Sequence, residues 1–357
     1  MEWTGEADGV FRGGGVKGLG LAGALEAFGT HRKWPVKRWV NVAGASAGAI
    51  IAAYLAYEKS PDVGKKISAL LDPERLAAFQ DFPLHRKYLG GVPSLLLKHG
   101  MAPGKAFERW FDGVLAGSTF TIAKTNDDWA FSRLKLIACD VTNRKLIVLP
   151  EDLPKYRELG RTAPIDPGEF KISRATRMSM SIPYFFEPIE LELVRDGQGN
   201  SIPPRPATIV DGGTLSNFPV WIFDVAEPKR PTFGFTLKGG SGVGAGFNRY
   251  ARLLPWFGRF ALDIFHTAQE AWDERFMTHS TKVRTFAVDA TVAGPDGRPH
   301  PVNTTDFRLS KQLQEQLIQN GRNAANEFLD RFDVSQYMNT LHVALPTGSY
   351  SDLAPTL

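Results

Sequence analysis

A serine framed by two glycines, Gly44-Ala45-Ser46-Ala47-Gly48, stands between an extended-type run, Arg38–Val42, and a helix-type run, Ala47–Tyr57. This is the G-x-S-x-G spacing, in which a tight strand-to-helix turn lifts the serine hydroxyl clear of the sheet. The glycines are needed because the turn strains the backbone and brings strand and helix too close for Cβ atoms. The helix start beside the serine offers N–H groups to an anion formed there, Ala47 N–H among them. The chemistry implied is acyl transfer by a serine nucleophile. A tight turn built from common small residues would carry the same spacing without any chemistry, so the rest of the chain has to decide.

A second glycine cluster, Arg12-Gly13-Gly14-Gly15-Val16-Lys17-Gly18, follows a short extended run, Ala7–Phe11, and precedes a helical run, Leu21–Phe28, stopped at Gly29-Thr30. A glycine loop between strand and helix turns several N–H groups toward one point and makes an anion nest. Gly13, Gly15 and Gly18 satisfy G-x-G-x-x-G, but a dinucleotide site wants an acid at the end of the next strand. The next strand, Arg38–Ala43, has none and runs into the serine turn instead. A P-loop is excluded because Lys17 precedes Gly18 and no Gly-Lys-Ser/Thr follows. An oxyanion hole is the reading that remains, and it requires a serine turn a short way downstream.

A third turn, Ala207-Thr208-Ile209-Val210-Asp211-Gly212-Gly213, ends a strand in an acid and two glycines. Alone, it reads equally well as an ordinary Asp-Gly-Gly turn. All three turns are expected to close strands at the same sheet edge. A serine hydroxyl needs a base to take its proton. The seven histidines, His31, His85, His99, His266, His279, His300 and His342, lie in no motif that would present one to Ser46. Asp211 acting directly on Ser46 is the better candidate. Partial desolvation would raise its pKa toward neutrality and suit it to the task.

The remaining pattern supplies a scaffold. Strands are predicted at Leu134–Asp140, Leu146–Leu149, Phe233–Leu237 and Val283–Asp289. Helices are predicted from a Ser60-Pro61 start to about Leu71, at Lys105–Leu115, at Ile172–Met180 and at Phe307–Phe332, the last interrupted near Gly321. Phe107, Trp110, Phe111 and Val114 recur at helical spacing, and core packing is their expected role. Tyr184–Pro188 reads as an apolar loop, 72–100 as loop-rich, 239–246 as a flexible linker and 250–275 as an aromatic-rich helix favouring packing over a lid. Cys139, the single cysteine, reads as a buried small hydrophobe and rules out an internal disulfide. With 357 residues, 43% hydrophobic and 22% charged, the chain can bury a sizeable core. Its net charge of +4 suits an anionic surface. No Sec-type leader or membrane span is expected, and a cytoplasmic protein with peripheral membrane contact is.

Taken in order, Gly13–Gly18, Gly44–Gly48 and Asp211–Gly213 resemble the patatin-like phospholipases. Ser181-Ile182-Pro183-Tyr184-Phe185-Phe186-Glu187-Pro188 is similar to the stretch before the aspartate in bacterial members. The resemblance implies an α/β fold, a three-layer α/β/α patatin-like sandwich with a mainly parallel central sheet. It implies hydrolysis of lipid acyl esters by a Ser46–Asp211 dyad through an acyl-enzyme, with oxyanion donors at Gly14 and Gly15. Gly13, Lys17, Gly18, Gly44, Gly48, Gly212 and Gly213 support the motifs. Lys17 stands where arginine is frequent in the family, keeping the charge but losing the fork of donors. The expected organisation is a catalytic core over 1–230 and a packed α/β extension over 231–357. Neither metal nor cofactor is called for, and the expected partners are a lipid substrate and a membrane surface rather than nucleic acid. The rivals are a Ser-Asp-His α/β-hydrolase using His266, His279 or His300, a nucleotide-binding module, and a partner-gated lipid-binding protein. The first is disfavoured because too few strands precede Ser46.

Overall fold

The computed structural model describes residues 3–58, 60, 62–72, 100–125, 132–225, 228–239, 279–294, 297–304, 306 and 309–342. His85, His99, His266, the loop-rich stretch 73–99, the linker 240–246 and the aromatic run 250–275 lie outside them. The elements are β1 (Glu6–Phe11), α1 (Gly18–Thr30), β2 (Arg38–Ala45), α2 (Ala47–Tyr57), α3 (Val63–Leu70), β3 (Gly100–Ala102), α4 (Lys105–Val114), β4 (Leu134–Asp140) and β5 (Lys145–Leu149). Then come β6 (Tyr156–Glu158), α5 (Ile172–Ser179), β7 (Tyr184–Phe186), β8 (Ile189–Arg195), β9 (Ser201–Asp211), β10 (Thr232–Lys238), α6 (His279–Lys282) and β11 (Thr285–Asp289). The chain continues through β12 (Thr291–Ala293), β13 (Pro299–Pro301), α7 (Lys311–Arg331) and α8 (Val334–His342).

The protein is α/β. Strands β11, β10, β1, β2 and β4 pair in parallel and form the centre of the main sheet. Strands β5, β9, β8 and β6 extend it antiparallel. Side chains alternate across this sheet and divide the core in two. Phe11, Val42, Leu136 and Ala138 face a layer that includes α1, α2 and α7. Val10, Ala43, Ala45 and Ile137 face the other way, against Phe218, Val220 and Ile222. That segment covers the second face of the sheet.

Helix α2 is buried along nearly its whole length, which its Ala/Gly/Ile composition allows. Phe28 of α1 sits at the aromatic centre, 4.9 Å from Phe235, 5.0 Å from Phe233, 5.5 Å from Phe286 and 5.8 Å from Trp39. Burying each such ring is worth about 1.5–3 kcal/mol. The aromatic stripe of α4 also turns inward, with Phe107 and Phe111 buried as expected.

Several local expectations are corrected. Helix α3 begins at Val63 with Asp62 before it, so Ser60 is not its cap. Tyr184–Phe186 is not loop but strand β7, paired in parallel with β3. Helix α7 runs unbroken through Gly321, where an added Cβ would lie 1.8 Å from the Gly20 carbonyl oxygen. The glycine there serves a close helix crossing rather than a helix break. Strand β9 also starts earlier than expected, at Ser201, across Pro203, Pro204 and Pro206. Those prolines are exposed, where a missing N–H costs little.

The largest correction concerns direction. Strand β9 is antiparallel to β4, so Asp211 does not close its strand at the same edge as the other two turns. The registers show where it goes instead. β2 pairs with Leu134–Ile137 of β4, β9 pairs with Ala138–Asp140, and β5 occupies the opposite side of Leu136–Asp140. β2 and β9 therefore take the same side of β4 in succession and run toward each other. Ala45 lies opposite Ile137, and Asp211 opposite the next residue, Ala138.

Candidate active site

Ser46 occupies the single residue between the end of β2 and the start of α2. Its φ of 53° and ψ of −125° are values that a residue with a Cβ seldom adopts. Such a conformation costs on the order of 1–3 kcal/mol and persists only where the surroundings impose it. Here the imposing contact is between the two motif glycines: a Cβ on Gly44 would lie 2.2 Å from the Gly48 carbonyl oxygen. Ser46 is 7% exposed. Its N–H donates to Ser179 Oγ at 3.1 Å, and its carbonyl accepts from Ala49 N–H at 2.9 Å. Ala47 N–H, at the first position of α2, has no intrahelical acceptor.

Asp211 meets this turn from the other side. Its N–H donates to the Ser181 carbonyl at 2.9 Å. Oδ1 accepts from Gly213 N–H at 2.7 Å and caps the turn at Gly212–Thr214. Gly212 lies against the Ile137 carbonyl, directly beside the end of β2. Oδ2 is buried and, among the described residues, has no close hydrogen-bond partner, with the Ser46 hydroxyl nearby. Burial pushes the carboxyl pKa up to about 7, against the opposing pull of the nearby Ser46 hydroxyl, the Gly213 N–H and the Arg177 charge. The side chain is thus poised between its two protonation states at neutral pH, with one oxygen uncommitted.

The glycine loop closes the third side. A Cβ on Gly13 would lie 2.9 Å from Ser46 Cβ, so only glycine fits there. The loop is tied down by bonds from Arg12 N–H to the Phe235 carbonyl, Gly13 N–H to Asn217, Val16 N–H to Thr304 and Lys17 N–H to Gly14. Between these, Gly14 and Gly15 N–H have no acceptor among the described residues. Lys17 lies in the short turn that follows, and Gly18 opens α1 facing Ala47. Ser46, Asp211, Gly13, Ala47 and Gly212 therefore converge where β2 and β9 meet.

Other candidates fall elsewhere. His31 pairs with Asp330, and His300 faces Asp306. Among the described residues no histidine hydrogen-bonds to Ser46 or Asp211. Cys139 is buried in β4, and burial, Asp140 and Asp211 push its thiol up to about 12. It is no nucleophile. Sequence reasoning missed Asn217, whose side-chain N–H donates to the Gly13 carbonyl at 3.3 Å. It also missed Ser179, Ser181 and Arg177. Their signal was the i, i+2 serine pair after an arginine at the end of a helix.

This arrangement has recognisable relatives. Residues 9–224 match the patatin-like phospholipase family. The chain is 36% identical over 330 residues to the uncharacterized protein YqhO of Bacillus subtilis (strain 168), covering 91% of this chain and 98% of that one. Among solved structures it is similar to VipD from Legionella pneumophila, with 16% identity, a TM-score of 0.46 and 91% of this chain covered. It is also similar to the type III effector ExoU, with 14% identity, a TM-score of 0.43 and 91% covered. The chain spans 66% of the first and 53% of the second. It belongs to the patatin-like phospholipase family, a family of lipid hydrolases.

Proposed function

We propose that this protein is a lipid acyl hydrolase of the phospholipase A, lysophospholipase or esterase type, working through a Ser46–Asp211 dyad. The observation that carries this reading is the uncommitted, buried Asp211 Oδ2 beside Ser46, on a carboxyl whose pKa is raised to about 7. A base of that pKa is well matched to neutral pH. Asp211 takes the Ser46 proton as Oγ attacks the ester carbonyl. The Gly14 and Gly15 N–H groups, with Ala47 N–H, hold the oxyanion. Asp211 then protonates the departing alcohol or lysolipid. In the second step it takes a proton from water, which attacks the acyl-enzyme; the proton returns to Ser46 as the fatty acid leaves.

The substrate fits a peripheral protein that meets lipid at a membrane surface, in keeping with the mildly basic charge. No helix among the described residues is long and apolar enough to cross a membrane. The test is fatty-acid release from phosphatidylcholine and phosphatidylglycerol vesicles and from their lysolipids. Wild type is expected to release fatty acid, and folded Ser46→Ala is not. Release by Ser46→Ala at the wild-type rate would overturn the reading.

A further inference from the structure

The end of α5 touches both sides of the proposed dyad. Ser179 Oγ accepts the Ser46 N–H at 3.1 Å and donates to the Ile137 carbonyl at 2.5 Å. Two residues on, the Ser181 carbonyl accepts the Asp211 N–H at 2.9 Å. Ile137 is the β4 residue opposite Ala45, at the gap between β2 and β9. Ser179 and Ser181 are fully buried, and the stretch is anchored from behind. Arg177, 1% exposed, donates to Ser181 Oγ at 2.5 Å, to the Pro103 carbonyl at 2.9 Å and to the Glu187 carbonyl at 2.7 Å. Its guanidinium also stacks 4.8 Å from the Phe186 ring centre.

Neither strand pairs with the other, because they meet end to end. Strand β4 sets Ala45 and Asp211 opposite successive residues, but Ser46 itself lies past the end of that ladder. Ser46 N–H also cannot join a ladder or a helix, because the turn leaves it outside both. We propose that Ser179 is a positioning residue: its hydroxyl relays Ser46 N–H to the Ile137 carbonyl and so holds the strained turn at working distance from Asp211. The inference rests on the dyad reading and extends it. Without the hydroxyl, Ser46 N–H and the Ile137 oxygen both lose a buried partner, and the turn is free to relax away from Asp211.

The test is labelling with an alkyl fluorophosphonate, resolved into kinact and KI, with peptide mapping of the adduct and thermal unfolding of each variant. In Ser179→Ala, kinact is expected to fall by about tenfold to a hundredfold, the scale of a small misplacement of reacting groups, with KI little changed. Ser179→Cys, nearly the same shape but a weaker hydrogen-bonding group, is expected to fall between. Should Ser179→Ala not fold, the cysteine variant decides. Unchanged kinact in the folded variant overturns the proposal, including the case where only the melting temperature drops. If wild type carries its adduct on Ser46 and Ser179→Ala labels equally fast, only the positioning inference fails. If wild type gives no adduct on Ser46, the dyad reading fails with it.

Discussion

The two strand ends that meet along β4 are built on different physics. At the Ser46 end the difficulty is steric. A residue with a Cβ sits at φ 53°, and the Gly44–Gly48 contact leaves the backbone no other course. At the Asp211 end the backbone is unremarkable, with φ −50° and ψ 132°, and the difficulty is electrostatic. A carboxyl is buried with one oxygen bonded and the other left over. One end stores backbone strain and the other stores desolvation. The folding cost of the serine turn should therefore be sensitive to volume and indifferent to pH, and that of the buried carboxyl should be the reverse.

Substitutions can break this contrast. The largest effect is expected on turnover. Asp211→Asn, close to isosteric, should lower kcat by about a thousandfold or more, within the range for losing a general base. Gly48→Ala comes next. Its Cβ would lie 2.1 Å from the Phe11 carbonyl oxygen and 2.9 Å from that of Arg12, both backbone atoms. It should destabilise the fold by more than about 3 kcal/mol, by the same amount at pH 6 and pH 8, as read by denaturant unfolding.

Asp211→Asn should have an effect of opposite sign and clear pH dependence. A carboxyl whose pKa rises from 3.8 to about 7 on folding favours the folded state only while it is protonated. The penalty is absent below pH 3.8, grows between there and 7, and is complete above 7. The asparagine variant should therefore melt higher than wild type at pH 8, with the gap closing toward pH 4. Its ceiling is roughly 4 kcal/mol, from about three pKa units at 1.36 kcal/mol each. The smallest effect is expected at Cys139, one position beyond Ala138 in β4. With its thiol pushed up to about 12 and buried, it should resist iodoacetamide at pH 8 until the protein is unfolded.

The same contrast explains what was legible in the sequence. The steric end is written locally. Gly44-Ala45-Ser46-Ala47-Gly48 between an extended run and a helical run admits few backbones, and Gly13–Gly18 repeats the pattern one strand earlier. The parallel centre of the sheet was implied by the family resemblance that these motifs carry. That Asp211 would come near Ser46 was also expected, from its place at a strand end before two glycines. The direction of its strand was not. Residue types along Ala207–Asp211 suit either orientation, and the choice is made by β8, which pairs with β9 as an antiparallel partner. Gly321 misled for a related reason: local propensity reads it as a break, whereas Gly20 on another helix sets its role. Ser179 escaped notice because its partners, Ser46 and Ile137, are distant in the chain.

The most direct test of the dyad is the rate of fluorophosphonate labelling of wild type and Asp211→Asn between pH 5 and pH 9. Wild type should form one adduct, on Ser46, at a rate that rises through a midpoint near pH 7 as Asp211 loses its proton. In the folded asparagine variant the rate should be at least a hundredfold lower at pH 8, with that midpoint gone. Labelling of Ser46 in Asp211→Asn at the wild-type rate, with the same pH dependence, would contradict the account.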